Sequence, residues 1–365
     1  PDFTAASCAP ASQLAVFVKT GTFSSTIHGA ARPHAMPPEH EALLILTCQT
    51  FPHLDGLECE FEPILKGGSD RHYYRLSWPG SGHPPMILMV YTHARRDNPK
   101  FAPATRRLEK LGVHVPKIHH HDENRLCIWL QDLGRDDLHA HRDDPWDKLR
   151  PLYEKALREV ARIHAVRESD LSPADHAEIE PPFDDNLYLW EQDYFLDHFV
   201  RGCLNREFPA ESSGPAAQTL VEIRRRLTAL PRCLIHRDFQ SQNILLHEDH
   251  AWLVDYQGLR LGLAEYDLAS LLYDPYVNLT PVQREELLKF YAGLRGLGLD
   301  AFKESFLLCA AQRLMQAIGA YGNLSRNLGK PQFLQHIPVG VERLASVCAE
   351  SPLLRPLATL LRAAQ

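Results

Sequence analysis

The chain has 365 residues, 44% hydrophobic and 23% charged, with a formal net charge of −7. That length allows two modest domains of ordinary soluble composition, and the acidic charge speaks against broad nucleic-acid binding, which needs a basic face. No apolar run reaches the roughly 18–20 residues that span a bilayer, and eight scattered cysteines without a CxxC pair read as reduced thiols of a cytoplasmic protein rather than a disulfide frame or zinc site.

Residues 1–36 are rich in Ala, Ser, Thr, Gly and Pro and lack an initiating Met. They read as a weakly ordered extension, or as sequence upstream of a start at Met36, with an N-terminal strand as the alternative. The apolar run at 14–18 is short and no basic stretch precedes it, so a signal peptide does not fit. Helical spacing of apolar residues predicts an amphipathic helix over 39–51. Strands are expected at 61–66, 72–78 and 86–91, separated by Gly67-Gly68-Ser69-Asp70 and Pro79-Gly80-Ser81-Gly82. A helix at 98–112 and strands near 114–119 and 126–130 complete a block that ends at Asp132.

Beyond that block the spacing predicts helices over 147–167, 186–204, 215–229, 265–273, 281–295, 301–322 and 333–349, with a last one near 353–363. A β-rich interruption falls at 233–256, with a turn at 247–250. The run His119-His120-His121-Asp122 reads as a loop between strands, since contiguous side chains point in different directions and share one ion poorly. Arg224-Arg225-Arg226 reads as a solvated helix face. The fold class this order implies is α+β, a small antiparallel-sheet region followed by a larger helical one.

The most informative stretch is Leu234-Ile235-His236-Arg237-Asp238-Phe239-Gln240-Ser241-Gln242-Asn243-Ile244-Leu245-Leu246, followed one hairpin later by Val254-Asp255-Tyr256-Gln257. Apolar flanks fix a polar loop between strands, which gives its side chains stable positions. Phosphoryl transfer needs alignment of an acceptor hydroxyl and neutralisation of phosphate charge by Mg²⁺. Mg²⁺ takes hard oxygen ligands, commonly one or two carboxylates with phosphate oxygens and water. Asp255 offers a carboxylate and Asn243 an amide oxygen, which leaves Asp238 to orient the hydroxyl and accept its proton. Each of the three alone could be a turn cap; together, in kinase order, they form a known pattern.

These motifs resemble those of the aminoglycoside phosphotransferase and choline kinase superfamily, over about residues 40–350. The resemblance implies a protein-kinase-like two-lobed fold, ATP and Mg²⁺ as cofactors, and a small-molecule hydroxyl acceptor. It divides the chain into 37–132, a nucleotide-binding lobe, and 133–365, a catalytic and acceptor-binding lobe. Glu265-Tyr266-Asp267-Leu268-Ala269 fits the family's YDLA-like helix start, where Asp267 would brace the catalytic loop beside His236, Arg237, Gln240 and Gln257. A helix N-terminal carboxylate is the plainer explanation. Asp255-Tyr256-Gln257 with 266–277, and patches at 68–75, 312–319 and 329–331, are similar to bacterial N-acetylmuramate/N-acetylglucosamine anomeric kinases. In such kinases the helix carrying Trp190, Glu191 and Asp193 borders the acceptor site, and Asp274 is a further acceptor candidate; an aromatic core is the alternative for the helix.

On the nucleotide side, Gly67, Gly68, Ser69, Asp70 and Arg71 form a loop whose N–H groups would approach phosphates, unless it is a simple hairpin turn. Trp129-Leu130-Gln131-Asp132-Leu133-Gly134 is similar to the family's hinge, where backbone near Gln131 and Leu133 would meet adenine. The strand at 86–91 departs from the superfamily: Met89 stands where a Lys is usual, and Arg71, Arg75, Arg95 and Arg96 are open substitutes. The expected function is phosphorylation of a sugar hydroxyl, with the anomeric hydroxyl of an N-acetyl amino sugar as the specific candidate. Phosphorylation of an aminoglycoside, choline or other amino alcohol is the rival, and a non-catalytic nucleotide-binding scaffold is the alternative of another class. Neither DFG nor an APE-like end is present, which argues against a protein kinase.

Overall fold

The structure, a computed structural model, describes residues 37–64, 71–207 and 214–361. The segment 1–36 and the loop residues Gly67, Gly68, Ser69 and Asp70 lie outside the described residues. The chain divides into two compact units, one of residues up to 102 with 116–132, the other of 103–115 with residues from 133 onward.

The first unit contains α1 (Pro38–Thr50), β1 (Glu60–Ile64), β2 (His72–Ser77) and β3 (Met86–Val90). After α2 (Phe101–Lys110), most of which belongs to the second unit, β4 (Ile118–Asp122) and β5 (Cys127–Gln131) complete an antiparallel sheet of order β1-β2-β3-β5-β4. The period-2 alternation of strands sends Tyr74, Leu76, Met86, Leu88, Cys127 and Trp129 to one face, where they pack with Leu43 and Leu54. The buried indole N–H of Trp129 donates to Thr47 Oγ1 at 3.0 Å, tying α1 to the sheet.

The His119–Asp122 run corrects the expectation of a loop, because it lies within β4. Pro116 delays the strand expected from 114, and pleating then turns neighbouring histidines to opposite faces. His121 Nε2 lies 2.8 Å from the Tyr91 hydroxyl, whereas His120 packs on Trp129.

The second unit contains α3 (Trp146–His164), α4 (Pro173–Glu178), α5 (Asp185–Phe195), α6 (Pro215–Thr228), β6 (Cys233–Ile235), β7 (Ile244–His247), β8 (His250–Leu253), β9 (Arg260–Gly262), α7 (Ala264–Leu272), α8 (Pro281–Arg295), α9 (Leu299–Arg326) and α10 (Ile337–Glu350). The central helix is α9, which packs on α5, α7 and α10. Its approach to α5 and to the segment that follows it requires glycine: a Cβ at Gly319 would sit 2.9 Å from the Tyr194 carbonyl oxygen, and one at Gly322 would sit 2.4 Å from that of His198.

Several helix expectations differ from the observed elements. The helix expected over 186–204 ends at Phe195 and continues as one π-type turn. Pro338, which lacks an N–H, holds the first turn of α10 after a 3₁₀ segment, and 355–361 is 3₁₀ rather than α. The unexpected α4 starts at a capping box, with Ser172 N–H donating to Asp175 at 2.8 Å. Among the described residues, no helix is long and apolar enough to cross a membrane, and the cysteines are free.

Candidate active site

Two short antiparallel pairs build the site within the second unit. β6 pairs with β9, and β7 with β8. Asp238 and Asn243 lie between β6 and β7, and Asp255 follows β8. The two loops are cross-linked: Val254 N–H donates to the Asn243 carbonyl at 3.0 Å, and His236 Nε2 lies 3.1 Å from the Val254 carbonyl oxygen. Within the first loop, the Asn243 side-chain N–H and the Gln240 backbone N–H each donate to the Asp238 carbonyl at 2.9 Å. The segments that carry Asp238, Asn243 and Asp255 are thus joined by hydrogen bonds.

The loop is braced by two carboxylates sealed from solvent. Asp267, fully buried on α7, accepts from the backbone N–H groups of His236 at 2.7 Å and Arg237 at 2.8 Å, and lies 3.0 Å from His164 Nε2. Asp274, also fully buried, accepts from the Ser241 N–H and hydroxyl and from the Tyr276 N–H. Asp267 thus holds the start of this loop, while Asp274, read as an acceptor contact, has one oxygen on Ser241 and the other on the Tyr276 N–H. Arg237 at φ 80° and Asp255 at φ 62° are left-handed without being glycine. Such a conformation costs about 1–3 kcal/mol and persists only where surrounding bonds enforce it. Here the Asp267 bond to the Arg237 N–H does so.

Burial would push the Asp238 carboxyl up, but the guanidinium of Arg237, hydrogen-bonded to it, and the charge of Arg313 hold it down at about 2. Asp238 is therefore ionised at any working pH, and its contribution to stability, present above the ordinary value of 3.8, is lost only as pH falls through about 2. Replacing Arg237 by Gln is expected to raise that value, so the acid limb of the pH–rate profile moves to higher pH. An unshifted limb in a pH–rate profile would separate Arg237 from the tuning of Asp238.

The other sequence candidates fall in different surroundings. Glu191 is buried, with its oxygens taken by the Tyr266 hydroxyl at 2.7 Å and Gln312 Nε2 at 3.0 Å, so it is a core brace instead of an acceptor contact. Burial raises its pKa. Asp193 is exposed, and Trp190 stacks on Tyr194 with centroids 5.0 Å apart. Gln257, 4% exposed, donates to Asp255 Oδ1 at 2.9 Å and so orients that carboxylate. Tyr256, between them, meets Thr105 on α2 through a 2.8 Å hydroxyl contact.

In the first unit, Met89 is wholly buried on β3, paired with Tyr73 and Ile128. Of the cations left open, Arg75 forms a two-pronged pair with Asp132 at 2.5 and 3.0 Å, Arg95 pairs with Asp97, and Arg71 is buried ahead of β2. The Gln131 N–H already donates to the Lys117 carbonyl at 2.9 Å, so it is not available to adenine. Leu133 is buried in the second unit. His164, Thr105 and Ser241 carry no mark in the sequence that singles them out; each acts through a partner many positions away, and only Ser241, inside the polar loop, has a local signal.

The donors present fit Mg²⁺. The bond from Asn243 Nδ2 to the Asp238 carbonyl occupies the amide N–H and leaves the amide oxygen as the atom that could take a metal, and Gln257 holds the Asp255 carboxylate. Among the described residues no cluster of three or more His, Cys, Asp or Glu is placed to hold a metal. One amide and one carboxylate form the kind of partial set that phosphate oxygens and water complete.

A family model described as the phosphotransferase enzyme family matches residues 60–302. The N-acetylmuramate/N-acetylglucosamine kinase of Pseudomonas aeruginosa is 28% identical over 313 residues, 83% of this chain and 88% of that protein. The protein of the same name from Pseudomonas putida is 26% identical over 80% of this chain and 85% of its own. Among solved structures, a choline/ethanolamine kinase family protein from Mesorhizobium loti aligns with a TM-score of 0.58 at 18% identity, over 88% of this chain and 99% of its own. An ADP-bound aminoglycoside phosphotransferase aligns at 0.53 and 11%, over 82% and 97%. At these identities the structural likenesses carry the fold alone, which is protein-kinase-like.

Proposed function

Because the chain belongs to the phosphotransferase enzyme family, whose model spans residues 60–302, we propose that this kinase, with Mg²⁺, transfers the γ-phosphate of ATP to a sugar hydroxyl, namely the anomeric hydroxyl of an N-acetyl amino sugar. The observation that carries the chemistry is the direct tether of Asn243 to the Asp238 carbonyl, on a loop cross-linked to the segment bearing Asp255. The sugar enters through the relatives named N-acetylmuramate/N-acetylglucosamine kinase.

Asp238 orients the acceptor hydroxyl and takes its proton as the bond to phosphorus forms. A carboxylate with a value near 2 is a weak base, so its larger contribution is alignment, in keeping with a loose transition state that needs little proton removal. Asn243 and Asp255 would hold Mg²⁺, which when bound offsets phosphate charge. Asp267 and Asp274 keep the loop in shape.

A cationic acceptor such as choline or an aminoglycoside calls for surface carboxylates near Asp238. Glu191 and Asp274 are spent on internal bonds, which favours the sugar. The test is ADP release with ATP and Mg²⁺ over a panel of N-acetylmuramate, N-acetylglucosamine, aminoglycosides and choline. Turnover with the N-acetyl sugars is expected, with loss of their reducing-end reactivity as the anomeric oxygen is capped. Preferred turnover of choline or an aminoglycoside would replace this reading with its rival. ATP-dependent thermal stabilisation without any turnover would make the protein a nucleotide-binding scaffold.

A further inference from the structure

The helix that carries Asp267, α7, ends at Leu272, so no helical register fixes the place of Asp274 beyond it. Asp274 nevertheless holds Ser241, which lies in the catalytic loop between Asp238 and Asn243. One of its carboxylate oxygens accepts from both the Ser241 N–H, at 2.9 Å, and the Ser241 hydroxyl, at 2.6 Å. The other accepts from the Tyr276 N–H at 3.0 Å, and the Val277 N–H returns to the Asp274 carbonyl at 3.2 Å. Tyr273, Asp274 and Val277 are all buried. The carbonyls of so deep a turn are shut off from water, and buried backbone groups need partners.

The partner comes from α10, 70 positions further along the chain. Arg343 is 8% exposed. Its Nη1 donates to the carbonyls of Tyr273, at 3.1 Å, and Asp274. Its Nη2 donates to the carbonyl of Val277 and, at 3.3 Å, to Asn278 Oδ1. A planar fork can gather acceptors spread over a turn in this way, whereas a lysine ammonium is a single point of charge. Burial pulls the Arg343 pKa below its ordinary 12.5, and the charge of Asp274 acts in the opposite sense. Gly340, three residues earlier and on the same face of α10, brings the helix close to α9: a Cβ there would sit 2.9 Å from Ile318 Cγ1.

We propose that Arg343 is a positioning residue for phosphoryl transfer: its fork fixes the turn 273–278, and through Asp274 and Ser241 that turn holds Asp238 and Asn243 in their relative places. The loop can transmit the constraint on both sides of Ser241. The Gln240 N–H donates to the Asp238 carbonyl and the Asn243 N–H to the Gln240 carbonyl, each at 2.9 Å. A misplacement of about 1 Å in a reacting constellation can cost about 10²-fold in rate. The assignment rests on the kinase reading of the loop and holds for whichever hydroxyl is phosphorylated.

The test uses the full chain with ATP, Mg²⁺ and whichever acceptor of the panel is turned over. Arg343→Gln is expected to lower kcat by roughly tenfold or more, with KM for ATP and for the acceptor changed by less than about threefold. Arg343→Lys, which keeps the charge without the fork, should recover only part of the loss. A merely structural arginine would lower the thermal midpoint and leave kcat per folded molecule alone, which overturns the assignment. The deciding measurement is a double-mutant cycle with Asp274→Ala, in which the link from turn to loop is cut. There Arg343→Gln should take little further from kcat; losses that multiply independently also overturn it. Should these variants fail to fold, hydrogen exchange of Arg343→Lys carries the test. Residues 239–246 should exchange faster than in the wild type while α9 keeps its protection, and unchanged protection of that loop overturns the assignment. If the wild type turns over no acceptor, the kinase reading falls and this assignment with it. Wild-type turnover that both Arg343 variants retain in full removes the assignment alone.

Discussion

Asp238→Asn is expected to lower kcat by roughly 10²–10⁴-fold, the span associated with losing a positioned general base, while ATP still binds. Asn keeps the shape and one hydrogen-bond acceptor. It removes the charge that Arg237 faces, and it offers an N–H where the hydroxyl proton must go. ATP affinity by calorimetry should change by less than about threefold, since the residues that would hold metal and nucleotide are untouched. If kcat falls less than tenfold, Asp238 is not the acceptor's partner and the transfer mechanism must be rebuilt around another group.

The largest stability effect is expected from Asp267→Ala. The change strips the acceptor from the backbone N–H groups of His236 and Arg237 and removes the partner of His164, all at a position with no solvent access. Each buried donor left without a partner costs about 1–3 kcal/mol, so a loss of roughly 3 kcal/mol or more is expected in urea unfolding. Turnover should fall further than stability alone explains, because the left-handed Arg237 backbone loses the bond that holds it. Asp267→Asn, which keeps one carbonyl oxygen, should recover part of the stability. A midpoint unchanged in Asp267→Ala would show that water satisfies these groups and that the brace is not what shapes the loop.

Much of the centre was legible because its members lie close in sequence. The polar loop, the hairpin and the following Asp-aromatic-Gln all sit within 236–257, so apolar punctuation marks the loop and its flanking strands, and the known pattern of its polar residues does the rest. Legibility failed where a carboxylate's role depends on what it faces. Asp274 and Glu191 look in sequence like acids next to a site, and only coordinates reveal that backbone N–H groups, a tyrosine and a glutamine have claimed their oxygens. The four candidate arginines stayed open for the same reason: the Asp132 that engages Arg75 is 57 positions away. The His119–Asp122 strand was hidden by its polarity, since β4 has exposed positions and lacks the apolar alternation that marks a strand. The capping box at Ser172 is the one local signal for α4 in a stretch otherwise poor in apolar spacing.

The dependence of the loop on Asp267 has a consequence for the order in which the protein matures. A nascent polypeptide that has left the ribosome only as far as β9 already contains Asp238, Asn243 and Asp255. It still lacks the two carboxylates that impose the loop's shape. Competence for transfer thus cannot precede α7 and the turn after it, and a fragment ending before residue 264 would possess the motif without the bonds that shape it.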